Sequence, residues 1–366
     1  MGIRCGIVGL PNVGKSTLFN ALSNGSVDAE NYPFCTIDPN IGNVSVPDRR
    51  LNQLALITKT TTIIPSYIEF VDIAGLVAGA SKGEGLGNKF LGNIRETDAI
   101  IHVVRCFDNK DITHVSNTIN PADDIDTINT ELLLSDIQTV ENNLIRAEKK
   151  SKAADKEEIQ KRDFLKDLFE HLNAMQPART FSSEEDNFIK WMKELHLLTA
   201  KPILYVANID ENEINMEGEY LNILKDHLKE DQDFDIIPLC SSLESELSQL
   251  PEDELKDFLS DLEIIEPALD KLIRSSYSLL GLQTYFTAGE KEVRSWPIRR
   301  GSKAPQAAGV IHTDFEKGFI KAEVISFDDY VKYEGENGSK SQGKLRLEGK
   351  DYIVQEGDVI HFRHNL

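Results

Sequence analysis

Gly9-Leu10-Pro11-Asn12-Val13-Gly14-Lys15-Ser16 fits the pattern G-x-x-x-x-G-K-[ST] in full, and its neighbours decide how it folds. An apolar run from Ile3 to Val8 precedes it, and Thr17-Leu18-Phe19-Asn20-Ala21-Leu22 continues it with helical spacing. Strand, glycine-bearing turn and helix in that order make a phosphate-binding loop, because the glycines let successive N–H groups converge on an anion at a helix N-terminus. Asn12, Val13, Gly14, Lys15, Ser16 and Thr17 would then cradle the phosphates. Lys15 reaches the terminal ones and the Ser16 hydroxyl ligates Mg2+.

Around this loop the chain alternates apolar strand-like runs with helix and turn signals, the mark of βαβ units on a parallel sheet. Tyr67–Val71 and Ala99–Val104 are the clearest further strands. From about Ile128 to Gln176 the pattern turns helical, with a charged tip at Lys149–Arg162, which reads as an antiparallel helical hairpin inserted into the sheet domain at about 128–198. Strands then resume at Ile203–Ala207 and Phe234–Leu239, delivering Asn208 and Cys240-Ser241-Ser242 to the carboxyl rim where ligands of open α/β sheets bind. After Gly281 short β runs with glycine-rich turns, Thr284–Thr287, Gly318–Val324, Tyr352–Val354 and Val359–Phe362, indicate a separate mixed-β domain. The expected division is 1–281 and 282–366.

Composition narrows the class. The 366 residues exceed one comfortable core, and no run approaches the roughly 18 apolar residues of a membrane span, so a cytoplasmic protein is expected. The four cysteines lie far apart without C-x-x-C spacing, which favours reduced thiols over disulfides or zinc. A net charge of −21 opposes indiscriminate nucleic-acid binding. That excess lies before residue 278, because the tail is balanced and holds a local basic cluster: Lys291, Arg294, Arg299, Arg300 and Lys303. The cluster is either a docking surface for RNA or an acidic partner, or a solvated charged loop.

Three further segments complete a nucleotide site. Asp72-Ile73-Ala74-Gly75 follows a strand, where a P-loop hydrolase places a carboxylate near Mg2+ and a glycine N–H on the terminal phosphate. The next residue is Leu76, where related enzymes orient water with Gln, so water must be positioned otherwise. Thr36, between loop and strand, is the second candidate hydroxyl for Mg2+, with Cys35 beside it. Asn208-Ile209-Asp210-Glu211 stands where a guanine reader would carry Asn-Lys-x-Asp. Adenine lacks the two donors that such an Asp accepts, and here the final carboxylate is one methylene longer, so guanine preference should be weakened.

With these residues in view, the chain resembles the YchF subfamily of Obg-related P-loop ATPases over essentially its whole length. The resemblance rests on 6–17, Asn31-Tyr32-Pro33-Phe34-Cys35-Thr36-Ile37, 70–77, 79–88 and Gly357-Asp358-Val359-Ile360-His361-Phe362. It implies a G domain interrupted by a helical hairpin, a TGS domain of ubiquitin-like β-grasp fold, and ATP favoured over GTP through Asn208 and Glu211. It also implies that His114 positions water in place of the missing Gln, beside Lys15 and Gly75, and that Ser241 backs the base edge by backbone contact. Asn12 is of the type that holds a monovalent cation, so K+ is an implied ion beside Mg2+. Implied partners are the large ribosomal subunit and, through Cys35, a thioredoxin-type redox protein. The rival expectations are an Obg-type GTPase that tolerates Glu211, and a ribosome-binding regulator in which hydrolysis is incidental.

Overall fold

The computed structural model describes residues 3–24, 40–74, 86–109, 118–151, 156–229 and 234–365. Thr36, Cys35, Gly75, Leu76 and His114, each given a role by the sequence, lie outside the described residues. Two compact units emerge: 1–44 with 69–272, and 45–68 with 273–366.

The first unit opens with β1 (Arg4–Val8) and α1 (Lys15–Asn24), followed by β2 (Ile41–Ser45). The chain then crosses into the second unit as α2 (Arg49–Thr58) and β3 (Ile63–Ile64) before β4 (Tyr67–Asp72) returns it to the first. Next come α3 (Leu86–Arg95) and β5 (Ala99–Cys106), then the helices α4 (Pro121–Ser151), α5 (Lys156–Asn173) and α6 (Phe188–Leu195). The unit closes with β6 (Ile203–Ile209), α7 (Glu219–Leu228), β7 (Ile236–Leu239), α8 (Ser241–Leu247) and α9 (Glu252–Asp261), and α10 (Ala268–Leu279) carries the chain across the boundary at 272 into the second unit.

Its sheet runs β2-β4-β1-β5-β6-β7, and the pairings from β4 through β7 are parallel. Strands β5 and β6 are buried along their entire length, which is what a parallel sheet covered on both faces requires and why they read as unbroken apolar runs. The expected hairpin is present as α4 and α5, although α4 begins at Pro121, earlier than the apolar periodicity suggests, because Asp123 and Asp124 in its first turn mask the start. Leu133, Val140 and Ala147 of α4 pack against Phe164, Leu165, Leu168 and Trp191, giving the hairpin a core of its own. At its base Asp136 accepts from Leu198 N (2.8 Å), Thr199 N (2.7 Å) and Thr199 Oγ1 (2.6 Å), tying α4 to the entry of β6.

The second unit adds β8 (Leu282–Ala288), β9 (Val293–Arg299), α11 (Ala304–Ile311), α12 (Thr313–Lys317) and β10 (Phe319–Ser326). It ends with α13 (Phe327–Lys332), α14 (Glu336–Ser341), β11 (Arg346–Glu348) and β12 (Asp358–His364). The sheet order is β11-β10-β12-β8-β9-β3, with β8–β9 and β10–β12 antiparallel and β12–β8 parallel. A first hairpin, a helix, and a last strand returning parallel beside the first is the β-grasp arrangement. Ala304, Ala307 and Ala308 let α11 lie close on Tyr285, Val324 and Ile360. Tyr352–Val354, expected as a strand, contributes a single bridge between Ile353 and Lys303, because Tyr352 is turned to bond the Asp358 carboxylate (2.6 Å) instead of joining a ladder.

Residues 45–68 belong to this second core. Leu51, Leu54 and Ala55 of α2 are buried against Phe286, Val293, Ile325, Tyr330 and Val359. Arg50 bonds Asp48 (2.7 Å) and Glu356 (2.6 Å) and lies 4.8 Å over the Phe286 ring. β3 pairs parallel with β9, and a buried Ser66–Ser295 hydroxyl bond of 3.0 Å spans 229 positions in sequence.

Candidate functional site

The loop between β1 and α1 is shaped as its residues demand. Gly14 has φ +95°, a left-handed conformation that an L side chain resists, and a Cβ there would stand 2.2 Å from Asn208 Nδ2. Gly9 is equally constrained from the other side, since a Cβ would meet the Val103 carbonyl at 2.7 Å. Asn12, at φ +63°, is exposed at the crest of the loop. Lys15 and Ser16 open α1, so the unpaired N–H groups of the first helical turn face the concave side of the loop.

Lys15, only 7% exposed, reaches Asp72 at the end of β4, Nζ to Oδ1 2.7 Å. The Ser16 hydroxyl lies 3.5 Å from Asp72 Oδ2, and Asp72 N donates to Asn40 O (2.9 Å). A hydroxyl and a carboxylate oxygen this close, at a helix N-terminus, fit a hard divalent cation that takes its remaining oxygens from phosphate and water. Ser16 and Asp72, two of the three residues expected at the metal, thus lie together, and the third, Thr36, is outside the described residues. Among the described residues no cluster of three or more His, Cys, Asp or Glu side chains could hold a metal by itself.

The far end of the site is built on β6 and β7. Asn208, 5% exposed, donates from Nδ2 to the Val13 carbonyl (2.8 Å) and accepts at Oδ1 from Ser241 N (2.9 Å). One side chain therefore braces the phosphate loop against the start of α8. The Ser241 amide is spent on Asn208 and its hydroxyl is buried, whereas Ser242, which the sequence did not single out, is exposed beside Cys240 Sγ (3.1 Å). Ile209 is a buried strand residue. Asp210 accepts at Oδ1 from Asn212 N (3.0 Å) and Asn212 Nδ2 (2.7 Å), capping a single 3-10 turn at Glu211–Glu213. Glu211 is left exposed at the rim.

Cys5, Cys106 and Cys240 are free and buried, and burial pushes the Cys5 and Cys106 thiols well up, away from the reactive thiolate form. No helix among the described residues is long and apolar enough to cross a membrane.

Comparison with known proteins finds relatives over the whole chain. Residues 4–135 match the family profile described as 50S ribosome-binding GTPase, and 282–365 match a profile named for the YchF-GTPase C-terminus and described as of unknown function. The Ribosome-binding ATPase YchF of Pasteurella multocida is 54% identical over 366 residues, covering 100% of both chains. The protein of that name from Bacillus subtilis is 51% identical over 369 residues, again covering 100% of both. Among solved structures, the Schizosaccharomyces pombe YchF GTPase matches with a TM-score of 0.90 at 38% identity, over 99% of this chain and 98% of that one. With full-length relatives at such identity, the chain belongs to the YchF family of P-loop nucleoside triphosphatases.

Proposed function

We propose that this chain is a Mg2+-dependent ATPase, favouring ATP over GTP, that associates with the large ribosomal subunit as a nucleotide-timed switch in the cytoplasm. The observation that carries the base preference is at Asp210. It is the one short carboxylate near the position of a guanine reader, and its Oδ1 is turned back onto Asn212 to cap the following turn. Glu211 takes the rim position with a longer side chain, and the buried Ile209 offers no ammonium to lie along a base. Both features remove partners that guanine would use, and adenine needs neither.

Each residue then has a task. Lys15 exchanges its Asp72 partner for the terminal phosphates, whose charge it offsets together with the N–H groups of Gly14 to Thr17. Ser16, Asp72 and Thr36 would hold Mg2+, which would supply charge neutralisation at the phosphates. In this reading Gly75 would donate to the terminal phosphate, His114 would orient the attacking water, and Asn12 would help hold a K+ ion. The division into a G domain of 1–281 with a hairpin at 128–198 and a TGS domain of 282–366 belongs to the same reading, as does a thioredoxin-type partner for Cys35. Ribosome association is supported by the names of the relatives and by the description of the family matched at 4–135.

Competitive binding of ATP and GTP to the purified chain with Mg2+ tests the proposal. ATP should bind more tightly, and Glu211→Asp should move the ratio toward GTP. GTP binding about tenfold tighter than ATP, roughly 1.4 kcal/mol, would overturn the substrate assignment. Ribosome association that survives Lys15→Ala unchanged would favour a binding module over a timed switch.

A further inference from the structure

The sheet of the second unit has one face closed by α11 and another that is only partly covered. Register and alternation decide which side chains stand on the second face. β10 and β12 pair antiparallel with Glu323 opposite His361 and Ile325 opposite Val359, while the alternate residues Val324 and Ile360 pack under α11. Phe286 of β8 pairs with Val359, so Ala288, two residues on, lies on that same face. Phe286, Ile325 and Val359 are covered by α2 and α13. Where the cover ends, the sheet, α13, α14 and Leu345 enclose a recess of about 280 Å³, measured to its open mouth.

Ala288, Ile325, Leu345 and Val359 give the recess an apolar wall, and Glu323, Tyr330, Glu336 and His361 bring polar groups to it. Glu323 is already committed, to Arg363 (3.0 Å) and Lys321 (3.8 Å). The other three are not hydrogen-bonded through their side chains to any described residue. Tyr330 is the informative one: it is only 5% exposed and its ring sits in the core, yet its hydroxyl is left without a partner at the recess. A buried phenol ordinarily finds one, because a desolvated hydroxyl left unpaired is destabilising. Burial, with Glu336 nearby, holds its pKa above the usual value, so it stays a neutral phenol able to accept as well as donate. The turn at Gly335, φ +104°, brings Glu336 round to the same recess, and Gly335 N donates to the Tyr330 carbonyl (2.8 Å).

The unmet groups define what they would take. A primary ammonium brings three N–H donors, and the recess has three free acceptors for them: the Tyr330 hydroxyl, the Glu336 carboxylate and an unprotonated ring nitrogen of His361. Its methylene stem would lie along the apolar wall, as long cationic side chains do. An anion would meet two carboxylates, and a nucleotide is too large for a recess below the roughly 300–1,000 Å³ of sites for drug-sized ligands. We propose that this recess binds a primary alkylammonium group, the end of a lysine side chain or of a polyamine, held by Tyr330, Glu336 and His361. The proposal draws on the second unit alone and needs nothing from the nucleotide site.

The test uses the full-length chain with labelled Ile, Leu and Val methyl groups, titrated by NMR with Nα-acetyl-lysine amide, with spermidine, and with the neutral Nα,Nε-diacetyl-lysine amide. Both amines should shift the methyl signals of Ile325, Leu345 and Val359 at millimolar concentration, and the doubly acetylated probe should not. Tyr330→Phe, which removes only the hydroxyl, should raise Kd about 2- to 10-fold. Glu336→Gln should raise it about tenfold or more, because the bond it weakens is charge-assisted. Spermidine binding at least about tenfold more tightly than the lysine derivative would identify a polyamine as the source, and comparable affinity a lysine side chain; either supports the alkylammonium assignment. If Tyr330→Phe does not fold, Glu336→Gln carries the test, since Glu336 is exposed. Methyl signals that stay in place, shifts reproduced by the doubly acetylated probe, or an affinity unchanged in either folded variant would each overturn the proposal.

Discussion

His102 makes the stability of the first unit depend on pH in a way that can be computed and checked. It lies in the middle of β5, 1% exposed, with its ring 5.4 Å from that of Tyr205 and no hydrogen-bond partner at Nδ1 among the described residues. Burial pulls its pKa from 6.5 down to about 3, so the folded protein holds it neutral. The unfolded chain protonates it below pH 6.5. Between the two values the unfolded state binds more protons, so this contribution is fully present above pH 6.5 and is lost as pH falls toward 3. At pH 5 the loss spans about 1.5 pH units, or ~2 kcal/mol. Asp136, Glu244 and Asp358, whose carboxyls burial holds above their usual range, act in the opposite sense, but they are common to parent and variant and cancel in the difference. The perturbation is His102→Phe in a Trp296→Phe background, where Trp191, buried in the first unit, is the only remaining tryptophan. Urea unfolding followed by its fluorescence at pH 7.5 and pH 5 should show the parent losing ~2 kcal/mol more than the variant. Parallel losses in the two proteins would refute a buried neutral histidine.

Gly14→Ala places a Cβ 2.2 Å from Asn208 Nδ2 at φ +95°, so ~1–3 kcal/mol of strain should weaken ATP binding about 5- to 150-fold in a nucleotide titration. Asn208→Ala leaves the Val13 carbonyl and the Ser241 amide without their partner, at ~1–3 kcal/mol for each buried group, and should lower both ATP affinity and melting temperature. Asn208→Asp, which keeps the acceptor and loses the donor, should fall between. Leu54→Ala, fully buried in α2, should cost ~2–5 kcal/mol. That loss should be read by Trp296 of the second unit and not by Trp191, although Leu54 lies far ahead of 273–366 in sequence.

What was legible in the sequence is local. The phosphate loop could be placed because its glycines, lysine and flanking strand and helix are contiguous, and Asn208 because it ends an unbroken apolar run. Asp210 was harder. Its competition with Glu211 is decided by a bond to Asn212, a turn whose formation the residue types permit but do not require. β9 was hidden for a different reason: Arg294, Arg299 and Arg300 make it look like a charged loop, whereas Arg294 lies 4.0 Å over Trp296 and the strand buries Val293, Ser295, Trp296 and Ile298. The membership of 45–68 in the second core had no signature at all, because parallel pairing between β3 and β9 is written in two segments more than two hundred residues apart.

That distant pairing also dictates an order of events during synthesis. Ser66 leaves the peptidyl-transferase centre 229 residues before its partner Ser295 exists. At about 5–20 residues per second the wait is roughly 10–50 s, longer than most small domains need to fold. Throughout it, the apolar side of α2, with Leu51, Leu54 and Ala55, has no core to enter. A domain conventionally assigned to the C-terminus is thus begun near the N-terminus and completed last, so the nascent chain must keep one of its earliest helices unspent until almost the final strand, β12, is made.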